Sequence, residues 1–309
     1  MALYFLYMKT FGRGNGSSAV SAAAYRSGER LRDERTGKTH DHADRLDVRH
    51  KEIVLPDKLA DADMSWALAR PSLWNAVEAA ESRKNARVAR EFLVALPAEL
   101  NAEQHVGLVR RFARDLANRH QFAIDVAIHE PRTDPRNHHA HLLATTREIH
   151  TSGFGLRTGL EISDSDRRER GLEPFYMEVI STRERWAVLT NQALEAANLR
   201  VRVDHRSLEA QGIDREPVPR LPRAVYELQK RGQYSEMAER IQGDYLERAA
   251  SRSQKSATES SEQVRTGPAN LDEVRRQARE AWLQLREGKQ REASAAHAPT
   301  HGFDDDLTR

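Results

Sequence analysis

Residues Gln121 to Arg147, QFAIDVAIHEPRTDPRNHHAHLLATTR, contain two apolar, β-branched runs joined by a Pro- and Asp-bearing connection, the pattern of a β-hairpin. Side chains alternate along a strand, so His139 and His141 share one face while Ala140 points the other way. On the first run His129 shares a face with Ala127 and Asp125, opposite Phe122, Ile124, Val126 and Ile128. If the two strands pair, His129, His139 and His141 converge at one point of a sheet surface. Neutral imidazole suits Zn, Mn, Fe, Ni and Cu, and three His with positions left open is the layout of a catalytic metal. His138 faces away by the same alternation and is not counted as a ligand.

Composition bounds the rest. A chain of 309 residues holds one large domain or two small ones. Hydrophobic residues make up 39% and charged residues 31%, so a well-filled core is expected in only part of the chain. The 49 Lys+Arg nearly balance the 47 Asp+Glu, so a basic surface for nucleic acid has to be local. The absence of Cys removes disulfides, thiolate metal sites and thiol nucleophiles. No apolar run approaches the ~20 residues needed to cross a bilayer, and MALYFLYMK is too short for a signal peptide. A cytoplasmic protein without membrane insertion is expected.

Upstream, Ala2 to Phe11 reads as a strand apolar on both faces, hence central. A Gly-rich turn, GRGNGSS, leads into SAVSAAAYRSG, a short helix with Ser17 or Ser18 as N-cap and Gly28 as its stop. Tyr25 is the only large residue on it with a reactive group; on this pattern alone it reads as a core aromatic. A Thr-Gly-Lys turn marks an exposed hairpin, in which His40 and His42 form a second, solvated His-x-His pair. KEIVLP is a strand, Pro71 to Asn85 a helix with Trp74, Val77 and Ala80 inward, and RVAREFLVAL a strand enclosing Glu91. A carboxylate inside an apolar run faces water at an edge or belongs to a site. Ala102 to Asn118 is a second amphipathic helix. Beyond the hairpin, TSGFGLRTG reads as a Gly-rich loop and Ser163 to Arg170 as a mobile charged stretch. A helix follows from Ser181 to Leu199, with Ser181 and Glu184 at capping-box spacing. VRVDHRSLEAQGID gives a short strand and a polar turn. Helical spacing returns over Ala224 to Ala250 and Leu271 to Glu287, with Ser251 to Ala269 and the residues from Ser294 as disordered linker and tail.

The expected fold is therefore α+β, an antiparallel sheet with helices packed on one face and a polar metal face on the other. The residues GRGNGSSAVSAAAYRSGE, DERTGKTHDH, NARVAREFLVALPAEL, IHEP with NHHAHLLATTR, GFG and VDHRSLEAQGID resemble the MobA/MobL relaxases, the plasmid-mobilisation branch of the HUH endonucleases. The resemblance covers about Met1 to Pro217. It implies residues 1–222 as a palm-like catalytic domain and 223–309 as a helical, partly disordered extension. It also implies single-strand nicking and rejoining at a transfer origin through a 5′-phosphotyrosyl intermediate, with Tyr25 as nucleophile and His129, His139 and His141 as ligands of a divalent ion, Mg or Mn. Glu91 falls where relatives carry an acidic residue. The implied partners are single-stranded and hairpin DNA of the transfer origin, mobilisation accessory proteins and a type IV secretion coupling protein.

The chemistry asks for these residue types. A phenol ordinarily ionises near pH ~10, so Tyr25 needs a nearby base or a metal's field. Glu91 and Asp125 are the candidates, and Asp125 has the alternative role of fixing an imidazole tautomer. Arg13, Arg26 and Arg147 are the candidate phosphate contacts. Tyr4 and Tyr7 read as core residues, and Tyr176 lies in a charged stretch. Two other readings stand: a rolling-circle replication initiator, in which the Tyr usually follows the His pair, and a non-catalytic DNA-binding assembly protein with a structural metal.

Overall fold

The computed structural model describes residues 3–130, 136–219, 221–261, 276 and 279–280. Ala2, the connection at 131–135, residues 262–269 of the expected linker, most of the Leu271–Glu287 helix and the tail from Ser294 lie outside the described residues. Two compact units divide between His205 and Arg206, before the expected boundary at Pro222.

In the first unit a five-stranded antiparallel sheet runs in the order β1 (Leu6–Gly12), β5 (Arg87–Ala95), β7 (His139–Ala144), β6 (Ile124–His129), β4 (Val48–Val54). Every residue of β6 is buried, which explains an apolar run that carries His129 and Asp125 inside it. Helix α1 (Ala19–Ser27) is followed by the small hairpin β2 (Arg30–Arg32) and β3 (Thr39–Asp41), as the Thr-Gly-Lys turn predicts. Two helices, α2 (Ser65–Leu68) and α3 (Arg70–Ala80), precede β5, and α4 (Ala102–His120) precedes β6. Asn101 and Gln104 close a capping box at the start of α4, and Gln121 ends it in a left-handed conformation. After β7 come β8 (Arg147–His150), β9 (Gly153–Arg157), α5 (Asp164–Glu169) and α6 (Phe175–Ala196).

The α+β class holds, but helices cover both faces of the sheet. On one side Phe92, Ile124, Val126 and Leu142 pack against Val109, Phe112 and Leu116 of α4 and Trp186 of α6. On the other, Ala89, Ala123 and Leu143 meet the alanines of α1 and Leu73, Trp74 and Val77 of α3. His129, His139 and His141 therefore occupy one end of a covered face. The Ala run of α1 is what lets that helix lie close to the sheet.

Several expected elements differ. β1 is an edge strand, not a central one. Tyr4, Leu6 and Met8 join the core, and the free edge is flanked by α6 residues, with Arg183 donating to the Leu6 carbonyl at 3.3 Å. A groove of about 650 Å³ lined by Met8, Phe175 and Val179 follows this edge. TSGFGLRTG is not a loop: its middle forms β9, paired with β8. The charged stretch after Ser163 is a capped helix, with Ser163 accepting from the Asp166 backbone N–H and Asp166 returning the bond. α6 starts at Phe175, so Ser181 lies inside a helix rather than at its cap. Val203 forms no strand; the Asn191 amide satisfies both its N–H and its carbonyl at 2.8 Å. Ala80 is exposed at the end of α3.

The second unit contains α7 (Arg223–Lys230) and α8 (Glu236–Ser261). The linker expected from Ser251 is thus helical as far as Ser261. Among the described residues no helix is long and apolar enough to cross a membrane.

Candidate metal centre and nucleophile

Antiparallel pairing sets His129 opposite His139 and Ala127 opposite His141. The register expected from alternation is the register observed, and ligand-capable atoms of the three imidazoles all lie within 4.8 Å of one another. His138 points away and packs on His105, ring centroids 5.1 Å apart.

Each ring is held by its surroundings. His141 Nδ1 lies 2.7 Å from Glu91 Oε1, and His139 Nδ1 lies 2.8 Å from the Asn137 carbonyl. Those contacts fix which nitrogen remains to face the centre, the arrangement metal-binding histidines use. His129 Nε2 lies 2.7 Å from the Arg26 carbonyl, while its Nδ1 is 3.3 Å from Arg45 Nη2 and 3.7 Å from Asp47 Oδ2. Burial, reinforced by His141 and Arg45, pushes His129 down to about 3. Burial also lowers His141 to about 4, although Glu91 opposes it, and lowers His139 against the pull of the Asn137 carbonyl. All three rings are neutral donors at physiological pH. Three neutral, oriented imidazoles fit a divalent ion that keeps open positions for a phosphate.

Glu91 is fully buried at the centre of this end of the sheet. Arg26 and His141 both hydrogen-bond to Oε1, and Lys9 Nζ lies 3.0 Å from Oε2. Burial alone would raise its pKa, but the bonds from His141 and Arg26 outweigh it and hold the carboxyl well below the usual range. It belongs to the site, not to a water-facing edge.

Tyr25 sits on the last turn of α1 and is 43% exposed, not a core aromatic. His129 contacts the backbone of the next residue, and Arg45 donates to the Tyr25 carbonyl at 2.7 Å. The turn that bears Tyr25 and the histidine cluster are therefore adjoining. Tyr4 is the part-buried partner of Arg183, Tyr7 is an edge-strand residue, and Tyr176 is exposed on α6.

The other expected residues are placed differently. Asp125 forms a two-pronged ion pair with Arg70 at 2.7 and 2.8 Å and accepts from Trp74 Nε1 at 2.8 Å, so it neither orients a histidine nor faces Tyr25. The three arginines do not form one open surface. Arg26 is buried in the site on Glu91. Arg13 donates to Glu78 Oε2 at 2.9 Å, and Arg147 to Glu81 Oε1 at 2.8 Å. Arg147 leaves the face of His139 and His141 because β7 ends at Ala144. His42 is not simply solvated: its ring meets Tyr25 edge-on, centroids 5.3 Å apart.

Sequence reasoning missed Arg45, Asp47, Glu78 and Glu81. The first two lie in a polar run with no period to mark them. Glu78 carried a legible mark, since it falls four residues after Trp74 and one after Val77, on the buried stripe of α3.

A His cluster that could hold a metal ion lies on an antiparallel sheet, beside a partly exposed tyrosine on a short Ala-rich helix. The model of the MobA/MobL family matches residues 17–231, and the chain belongs to that family, the relaxases of plasmid mobilisation. The mobilization protein MobL of Acidithiobacillus ferridurans is 35% identical over 274 residues, covering 81% of this chain and 70% of that one. A probable mobilization protein MobA of Bifidobacterium longum is 32% identical over 268 residues, 76% of this chain and 46% of its own. A solved structure described as "Molecular Basis of Vancomycin Resistance Transfer in Staphylococcus aureus" superposes with a TM-score of 0.56 at 32% identity, covering 67% of this chain and all of that one. Family membership favours the mobilisation relaxase over a rolling-circle initiator.

Proposed function

We propose that this relaxase nicks and rejoins one DNA strand at a plasmid transfer origin, with Tyr25 as the nucleophile. The observation that carries the reading is the convergence of His129, His139 and His141 against the turn that bears Tyr25. Attack forms a bond between the Tyr25 phenolic oxygen and phosphorus while the bond from phosphorus to the 3′ oxygen breaks. The strand is left with a 3′ hydroxyl and a 5′-phosphotyrosyl ester, and reversal of the same exchange closes it without ATP. A divalent ion, Mg or Mn, held by the three histidines would supply charge neutralisation at the scissile phosphate. Glu91, whose Oε1 accepts from Arg26 and His141 and whose Oε2 is ion-paired with Lys9, acts by orienting His141 and fixing Arg26 rather than as the proton acceptor. The substrate is single-stranded origin DNA next to a hairpin, and mobilisation accessory proteins and a type IV coupling protein are the further partners.

The test uses an oligonucleotide spanning the nick. Wild-type protein with Mn²⁺ is expected to yield a denaturant-resistant adduct, Tyr25→Phe to bind the oligonucleotide and yield none, and the double variant His139→Ala, His141→Ala to lose both metal binding and nicking. Undiminished cleavage by the double variant would remove the metal from the mechanism.

A further inference from the structure

We infer that His42 and Arg45 form a clamp that sets the Tyr25 ring, which makes Arg45 a positioning residue for the nucleophile; the inference rests on Tyr25 being that nucleophile. An exposed tyrosine on the last turn of a short helix would otherwise sample several rotamers, and a misplacement of about 1 Å costs on the order of a hundredfold in rate. The segment from His42 to Asp47 removes that freedom from two sides. The Arg45 guanidinium carbon sits 4.3 Å from the centroid of the Tyr25 ring, and the His42 ring meets it edge-on at 87°.

Arg45 is itself fixed. Its Nε donates to Asp47 Oδ1 at 3.0 Å, Nη1 to the Tyr25 carbonyl at 2.7 Å, and Nη2 reaches Asp47 and His129 Nδ1. One planar cation thus touches the nucleophile's ring, its backbone and a histidine of the metal centre, a set of contacts that a flexible ammonium cannot fully reproduce. The approach depends on Gly28, which ends α1 at φ 62°. A Cβ there would lie 3.1 Å from Val48 Cγ2 and 3.5 Å from Arg45 Cβ, so the left-handed glycine gives the segment its seat against the helix end.

Two readouts test this. The first is structural and uses protein without metal or DNA, labelled with 3-fluorotyrosine at its seven tyrosines, the Tyr25 resonance being assigned by its loss in Tyr25→Phe. The second is the single-turnover rate of adduct formation, with Mn²⁺ affinity and affinity for the uncleaved oligonucleotide measured alongside. In Arg45→Ala the Tyr25 resonance is expected to move and the rate to fall about ten- to a hundredfold, a loss much larger than the change in either affinity. Arg45→Lys is expected to recover part of the rate, and His42→Ala to move the resonance with a smaller loss. Should Arg45→Ala fail to fold, the Lys and His42 variants carry the same test. An unmoved resonance overturns the clamp, as does a rate loss matched by an equal loss of Mn²⁺ affinity, which would put Arg45's action on His129. Adduct formation by Tyr25→Phe would refute the nucleophile instead, and the fluorine resonance alone would then decide whether the ring is clamped.

Discussion

His141 donates from one ring nitrogen to a carboxylate that no water reaches, and neither partner is stable alone in that setting. Burial holds His129 near 3 and His141 near 4, both below the usual 6.5, while the bonds from His141 and Arg26 outweigh burial at Glu91 and keep it in its charged form. Between pH 6.5 and 4 the unfolded chain takes up protons on these histidines that the folded chain refuses. Stability is therefore complete above about pH 6.5 and falls as pH drops toward 4, and Glu91 extends the loss below the usual carboxylate range. Thermal midpoints of the metal-free protein are expected to be level above pH 7 and to decline steadily through this window. A midpoint that holds or rises on acidification would show that the three rings are not buried as described. At this scale the histidines were legible because strand alternation alone puts them on one face. Arg13 and Arg147 were not, because Glu78 of α3 and Glu81 just past its end, which occupy them, arrive from more than sixty positions away in sequence.

α1 shows how an element inherits its position from neighbours that share no local pattern with it. Ser18 caps it by accepting from the Ser21 N–H, as the sequence suggests, and is itself held by Asp33 at 2.7 Å. The larger restraint is Glu78 of α3, a buried carboxylate that accepts from the Ala19 N–H at 2.6 Å and pairs with Arg13 and Arg35. Removing it leaves Arg13 buried without its counter-charge, the case that costs about 3–5 kcal/mol. Glu78→Ala is expected to destabilise the protein by about that much and to slow adduct formation through the loosened α1. Ser18→Ala should cost only about 1 kcal/mol. Chemical denaturation of the two variants separates these sizes, and a Glu78→Ala effect no larger than that of Ser18→Ala would remove the carboxylate from the account. The elements that sequence placed well, β5 to β7 and α4, are those whose period repeats over several residues. It failed at β9, α5 and the start of α6, where a cross-strand partner, a polar capping box and a Pro174 boundary determine structure that hydropathy does not record.

On the scale of the whole molecule, composition suggested a core confined to part of the chain, and the first compact unit, which ends at His205, contains both core clusters. The last residues of that unit are tied to it by specific bonds. Asn191 clasps Val203, itself 7% exposed, and Arg183 donates to the His205 carbonyl at 3.2 Å. Leu199 packs on the core without being fully enclosed. None of this needs the segment after Pro222, although the family match continues to residue 231. A fragment ending at Pro222 is therefore expected to melt in one cooperative transition at the midpoint of the full chain and to bind Mn²⁺ with the same affinity. A fragment ending at Ala196 loses Leu199 and Val203 and leaves the half-buried Asn191 amide without its Val203 partners. Its midpoint is expected to drop by several degrees, since a domain of this size shifts by about 2–4 °C for each kcal/mol lost. If the Pro222 fragment melts as low as the Ala196 fragment, α7 and α8 are part of the catalytic fold and the catalytic domain extends beyond the boundary read from the sequence.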